Sequence, residues 1–238
     1  MNSIEALLKG VGDLNIELSQ VQAERFVKYK ELLKEWNKKI NITAITEDDE
    51  IDIKHFLDSL TPVTTRLFEN SIKLIDIGTG GGFPGLPLKI YNEGLKVTLL
   101  DSLNKRIAFL KEVIEALGLK DIEAIHGRAE EFGRKEDFRE QYDISISRAV
   151  ASLNTLSEYC IPFVKVGGYF VSMKGPDVED ELREAEGGIK ILGGKIVEVA
   201  TVKIPLSDIV HTLIIIEKIK ETPTKYPRAG GKPKKNPL

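Results

Sequence analysis

The chain has 238 residues, 42% of them apolar and 30% charged, with a formal net charge of −3. That length supports a sizeable core, either as one large domain or as one with a small appendage. No stretch approaches the roughly 18 apolar residues of a membrane span. The opening "MNSIEALLKG" lacks the basic-then-apolar order of a secretory signal. Cys160 is the single cysteine, which excludes an internal disulfide and a cysteine-based zinc cage, and nothing in the sequence calls for a metal. A soluble cytoplasmic protein is expected.

Ser19 caps a helix predicted over residues 19–40, where Phe26, Tyr29, Leu33, Trp36 and Ile40 recur at steps of three and four. After the loop "NITAIT" a second helix is predicted from about Asp48 to Thr61, with Ile53, Phe56, Leu57 and Leu60 inward. His55 and Asp58 then share the opposite face, either as a structural pair or on the substrate side of a cleft. No strand signal precedes residue 72, so residues 1–70 read as a helical cap.

From there the period changes. The runs "KLIDIG", "KVTLLD", "IEAIHG", "YDISISR" and "GGYFVSMKG" alternate with helices predicted over 84–92, 103–118, 151–164 and 177–192. That alternation means a parallel sheet covered on both faces. "KIVEVATVKIP" and "HTLIIIEK" lie only about five residues apart, too close for a crossover helix, so they form a terminal antiparallel hairpin. Residues 71–220 thus read as an α/β, Rossmann-like domain of five parallel strands plus the hairpin. The segment 221–238 has no core-forming period. From Lys218 onward seven basic residues (Lys218, Lys220, Lys225, Arg228, Lys232, Lys234, Lys235) face one acid, Glu221. An acidic globule with a basic arm for a phosphate backbone, or a merely solubilising tail, fits this asymmetry.

The stretch "IDIGTGGGFPGLPLKI", residues 75–90, sets five glycines between the first strand and the next helix. Ligands of doubly wound sheets sit beyond the carboxyl ends of the strands, and glycine lets a ligand lie against the backbone there. Asp101 ends the second strand 21 residues after Gly80, where a carboxylate can accept the hydroxyls of a ribose. A nucleoside is the expected ligand. Gly80-x-Gly82-x-x-Gly85 also fits a dinucleotide fingerprint. Asp76 two residues before Gly78, with the terminal hairpin, favours S-adenosylmethionine and a class I methyltransferase.

The acceptor is narrowed by what is missing. "SISRAV" stands where methylases of exocyclic amines carry an Asn/Asp-Pro-Pro-aromatic run. Cys160, on a helix with Leu156 and Phe163 at steps of four and three, reads as core rather than as a nucleophile. An acceptor that is already nucleophilic, such as guanine N7, remains.

The motifs "NITAIT", "HFLDSL", "IDIGTGGGFPGLPLKI", "DSLNKR", "GRAEEF", "SRAV" and "KYPRAGGKPKKNPL" occur in this order in the bacterial 16S rRNA methyltransferase G family, also called glucose-inhibited division protein B, and the chain resembles that family from about residue 25 to its end. The resemblance implies methyl transfer from S-adenosylmethionine to N7 of one guanosine in the 530 loop of 16S rRNA, with the small ribosomal subunit as partner. It implies cofactor contacts from Gly78, Gly80 and Phe83 in the glycine loop and from Asp101, Ser102 and Leu103 after the second strand. Ala129 and Glu130 match positions beside the adenine, and Arg148 faces the methionine end and the incoming base, a candidate for positioning. No residue is identified as a general base. His55, Lys174, Tyr226 and Arg228 are candidate RNA contacts, the tail serving RNA binding or cleft closure. His126 and His211 read as ordinary. A monomer is expected. A small-molecule methyltransferase and a non-catalytic rRNA-binding assembly factor stay open as alternatives.

Overall fold

The computed structural model of the protein describes residues 3–148 and 151–238, so Met1, Asn2 and the Ala149–Val150 pair of "SRAV" lie outside the described residues. Two helices open it, α1 (Ser3–Asp13) and α2 (Gln20–Ile40). Ser19 Oγ accepts the Gln22 backbone N–H at 3.3 Å and Gln22 Oε1 accepts that of Ser19 at 2.8 Å. This reciprocal box satisfies two donors that the helix itself cannot. Asn41 ends α2 in a left-handed conformation. Phe26, Tyr29 and Leu33 are fully buried, as their spacing predicts, with Trp36 and Ile40 at the margin.

The helix expected near 48–61 is compound. α3 (Asp48–Ile51) widens into a π-helical stretch, Asp52–Leu57, resumes as α4 (Asp58–Leu60) and tightens to a 3-10 turn, Thr61–Thr65. The regular 3.6-residue period assigns His55 and Asp58 an outer face. The wide turn instead carries His55, Phe56, Leu57 and Asp58 all into the interior.

Seven strands follow: β1 (Lys73–Ile77), β2 (Lys96–Asp101), β3 (Ile122–His126), β4 (Tyr142–Arg148), β5 (Val164–Lys174), β6 (Gly194–Lys203) and β7 (Val210–Lys218). Between them run α5 (Gly85–Tyr91), α6 (Asn104–Ala116), α7 (Ala129–Phe132), α8 (Leu153–Cys160) and α9 (Glu179–Ile191), and α10 (Lys232–Lys235) closes the chain. The spatial order is β3-β2-β1-β4-β5-β7-β6, parallel as far as β5 and antiparallel across β7 and β6. The chain winds outward from β1 to β3 and then returns to β4 on the other side of β1. The carboxyl ends of β1 and β4 therefore send their loops in opposite directions and leave a crevice.

Each face of the sheet has its own apolar core. One runs continuously from Leu7, Phe26 and Phe56 in the N-terminal helices to Leu86, Phe109 and Leu213, so the cap shares its core with α5 and α6. The other gathers Ile75, Leu156, Phe163, Ile189, Ile214 and Tyr226 beneath α8 and α9. Residues 221–238, without an apolar period of their own, nonetheless lie along this second face. Arg139 donates to the carbonyls of Thr222 and Tyr226, and Arg134 to that of Pro227. Charged side chains of the body thus order a segment that hydrophobic patterning leaves unassigned.

Phe56 sits at the centre of the cap contact, its ring 5.1 Å from Phe26, 5.3 Å from Tyr29 and 6.1 Å from Phe83. Phe56→Ala is expected to lower stability by about 3–5 kcal/mol, since the surrounding rings cannot collapse onto the void. Urea unfolding of the purified variant checks this.

Candidate cofactor cleft and its helical cap

The glycine turn joins β1 to α5 and is gripped by side chains on several sides. Asp76 Oδ2 accepts from Thr79 Oγ1 at 2.7 Å and from the Gly85 N–H at 2.9 Å. Asp101 Oδ2 accepts the Gly80 N–H at 2.9 Å, and the Tyr29 hydroxyl donates to the Gly81 carbonyl. Two glycines are required by the protein's own packing. Gly82 has φ 98°, and a Cβ there would lie 2.7 Å from the Tyr29 hydroxyl. A Cβ on Gly85 would lie 2.5 Å from Leu99 and 2.9 Å from Asp76 Oδ2.

Beyond this turn lies a cleft of about 310 Å³, lined by Ile77, Gly78, Leu100, Asp101, Ser102, Gly127, Arg128, Ala129, Glu130, Leu156, Tyr159, Gly231, Lys234 and Lys235. The ends of the first three strands thus converge on it from one side, and α8 and the chain terminus from the other. Five of the expected residues line it: Gly78, Asp101, Ser102, Ala129 and Glu130. Gly80 and Leu103 act at one remove, their N–H groups holding Asp101 Oδ2 and Oδ1 at 2.9 and 2.8 Å. Arg106 adds a longer contact to Oδ2, 3.3 Å. A carboxylate offers about four lone-pair sites, so one on Oδ1 remains, and a second where Arg106 yields. The acceptors Asp101 and Glu130 over apolar Ile77, Leu100 and Leu156 suit a nucleoside, whose hydroxyls and exocyclic amine are donors and whose base is flat and apolar-faced. The cleft fits the adenosine of S-adenosylmethionine on that chemistry. The place of Leu156 and Tyr159, three apart on α8, and of the terminal lysines in this cleft is not legible in the sequence, because their approach to β1–β3 is wholly tertiary.

Phe83 is a correction: its ring does not line this cleft but turns to the cap. It stacks on His55 at 4.4 Å and 12°, and on Tyr29 at 5.5 Å. The aromatic cap face offers it more apolar contact than an open cleft would. Arg148 also faces the cap. Its Nη1 donates to Asp58 Oδ2 at 2.8 Å and to the Lys54 carbonyl at 3.2 Å, with the guanidinium 5.1 Å above the Phe83 ring. Nη2 lies 3.3 Å from His55 Nδ1. Arginine only donates, so Nδ1 accepts, and the His55 proton sits on Nε2, donated to Thr43 Oγ1 at 2.8 Å. Burial, with Arg148 beside it, pulls the His55 imidazole down to about 4. His211, expected to be ordinary, completes the knot by donating from Nδ1 to Asp58 Oδ1 at 2.7 Å.

The candidate RNA contacts also need correction. His55 is buried and committed as described. Lys174 is buried, its ammonium donating to the Ala151 carbonyl and paired with Glu181 at 2.7 Å. The Tyr226 ring belongs to the second core and has no open face for a base. Arg228 grips the fully buried Glu158 carboxylate through Nε at 2.9 Å and Nη2 at 2.6 Å. Lys218 is buried between Glu140 and the carbonyls of Ile161 and Val164. A lone charge cannot be left in an interior, so each of these cations neutralises or caps something inside.

Comparison with known proteins meets this geometry directly. The family model of rRNA small subunit methyltransferase G matches residues 22–210. "Ribosomal RNA small subunit methyltransferase G" of Alkaliphilus metalliredigens is 53% identical over the whole of both chains. The chain belongs to the rRNA small subunit methyltransferase G family. The protein so named from Alkaliphilus oremlandii is likewise 53% identical, over 98% of each chain. Among solved structures, M. jannaschii TYW2 in complex with AdoMet superimposes with a TM-score of 0.52 at 17% identity, covering 68% of this chain and 77% of that one. That likeness concerns the fold alone, a class I methyltransferase fold. The methyltransferase G family uses S-adenosylmethionine as its methyl donor.

Two buried groups of this methyltransferase G chain titrate in opposing senses. Burial pushes the Asp76 carboxyl up to about 6, against the hydrogen bonds from Thr79 and Gly85. The folded state therefore keeps a proton that the unfolded chain releases near pH 4, so stability falls as pH rises from about 4 to 6, by roughly 3 kcal/mol. The depressed His55 does the reverse, adding stability between about 4 and 6.5. Asp76→Asn keeps the shape and removes the first effect. The stability of the variant relative to the parent is expected to climb by about 3 kcal/mol from pH 4 to 6.5 and then level. Urea unfolding at stepped pH reads the difference.

Proposed function

We propose that the protein transfers the methyl group of S-adenosylmethionine to N7 of a guanosine in the 530 loop of 16S rRNA, presented by the small ribosomal subunit. The observation that carries the reading is the cleft at the strand ends, with Asp101 and Glu130 as acceptors over an apolar floor, in a chain of the methyltransferase G family. S-adenosylmethionine supplies a methyl group made electrophilic by its sulfonium. Asp101, fixed by Gly80 and Leu103, receives the ribose hydroxyls, while Ser102, Ala129 and Glu130 border the adenine. Gly78 lets the backbone approach the nucleoside. Arg148 and Phe83 hold the wall between the turn and the cap, on the side from which the acceptor base enters.

The side chains support an acceptor that is already nucleophilic, and the family resemblance makes that acceptor guanine N7. Methylation at carbon 5 of a pyrimidine requires a thiolate. Cys160 is fully buried, and that burial pushes its thiol well above its ordinary value. His55 is neutral and engaged at both nitrogens. Guanine N7 has a lone pair and no proton to lose, so orientation alone can supply much of the rate, on the order of 7–11 kcal/mol where the geometry is in line. Backbone phosphates of the rRNA meet exposed lysines of the chain end, Lys220, Lys225 and Lys232. A cytoplasmic location and a monomeric state belong to the same reading; among the described residues no helix is long and apolar enough to cross a membrane.

Small-subunit particles from cells lacking the gene, incubated with the protein and labelled S-adenosylmethionine, are expected to yield 7-methylguanosine in the 530-loop fragment. Label in another nucleoside would overturn the atom, and label in none would overturn the substrate. Replacing Lys220, Lys225 and Lys232 by alanine is expected to lower the slope of log affinity against log salt by about 2. Filter binding to the particles at several salt concentrations measures it.

A further inference from the structure

The chain terminus is built more firmly than an RNA-binding arm requires. Arg228 closes on the buried Glu158 through its guanidinium and through its backbone N–H at 2.7 Å. Its Nη2 also donates to the Asn236 carbonyl at 2.9 Å, tying the last residues back. Gly230 and Gly231, with φ 70° and 68°, reverse the chain. Pro233 is then buried against α8, where its carbonyl faces Thr155 Oγ1 at 3.3 Å, and Leu238 lies over Gly188 of α9. This anchoring sets Gly231, Lys234 and Lys235 into the lining of the same cleft as Asp101 and Glu130.

We infer that Lys234 and Lys235 are cofactor-binding residues, and that the segment from Arg228 to the end of the chain forms the outer wall of the nucleoside cleft. This rests on the reading of that cleft as the S-adenosylmethionine site. The chemistry is complementary. Asp101 and Glu130 accept the donors of adenosine, its hydroxyls and exocyclic amine. The adenine ring nitrogens and the ribose ring oxygen are acceptors, and the remaining lining offers them two ammonium donors from the terminal lysines. Both lysines are otherwise exposed, so a bound nucleoside gives them partners without displacing an existing buried contact. The sequence reads these lysines with the tail's RNA-directed charge; the fold turns them to the other ligand.

Calorimetry with S-adenosylhomocysteine and no RNA tests the inference. Lys234→Ala/Lys235→Ala is expected to weaken binding at least fivefold, with the KM for small-subunit particles within twofold of the parent and circular dichroism unchanged. In the parent chain, S-adenosylhomocysteine is expected to slow amide exchange at residues 231–236. Unchanged affinity in the double variant, or a higher KM for particles with unchanged cofactor affinity, would overturn it in favour of an RNA contact. So would exchange at 231–236 that ignores the cofactor. Because binding is read without RNA, a failure of the guanine-N7 reading would leave this result standing, and the two fail separately.

Discussion

The fold depends on the turn between β1 and α5 being held rigid while its backbone stays bare. Asp76 clamps Thr79 and Gly85 from beneath, Asp101 holds Gly80 from the neighbouring strand, and Tyr29 reaches from α2 to Gly81. Glycine-rich backbone is entropically costly to order, and these bonds supply the ordering from outside the turn. The cap therefore helps to order the glycine turn even though its side chains do not line the cleft. Crowding around Gly82 and Gly85 shows that glycines of this cluster also answer to the close packing of the turn against the cap and of helix on strand.

The second organising feature is the knot of Asp58, Arg148, His55 and His211. It joins the π-helical stretch of the cap to the end of β4 and the start of β7, elements far apart in sequence. A carboxylate between two donors and a neutral imidazole between donor and acceptor leave little freedom to rotate. Arg148 is consequently a preset wall beside Phe83. That rigidity suits a reaction in which the protein orients a competent nucleophile and removes no proton. Asp76 and His55, both buried, tilt stability in opposite directions with pH, so the interior carries two uncomfortable groups whose effects on stability offset.

The chain end illustrates order obtained from charge. Glu158, Arg134, Arg139 and Glu140 belong to the body, and each binds a backbone group or cation of residues 218–228. A buried carboxylate such as Glu158 is tolerable only with its partner in place, so the cost of separating Arg228 from it keeps the terminus docked. The net basicity of the tail overstates what remains for RNA, because Lys218 and Arg228 are spent on the interior.

Local chemistry made much of this legible from the residues alone. The capped α2, the alternation of strands and helices, the closing hairpin, and Gly78 and Asp101 at the ends of β1 and β2 all follow from periodicity, spacing and the conformational needs of glycine. Ser102, Ala129 and Glu130, which also line the cleft, were pointed to by the family resemblance and not by local chemistry. What escaped was anything set by contacts between distant segments. Phe83 and Arg148 follow their β1–α5 and β4 positions toward the crevice in sequence, yet in space the cap's aromatic face and the Asp58 carboxylate claim them. Tyr226, Arg228 and Lys174 read as surface groups because docking in a remote apolar core, or pairing with Glu158 or Glu181, leaves no periodic trace. Periodicity reports which face of an element is buried against something. Only the tertiary structure decides against what, because an ion pair or a ring stack between remote residues depends on where the folded sheet brings them.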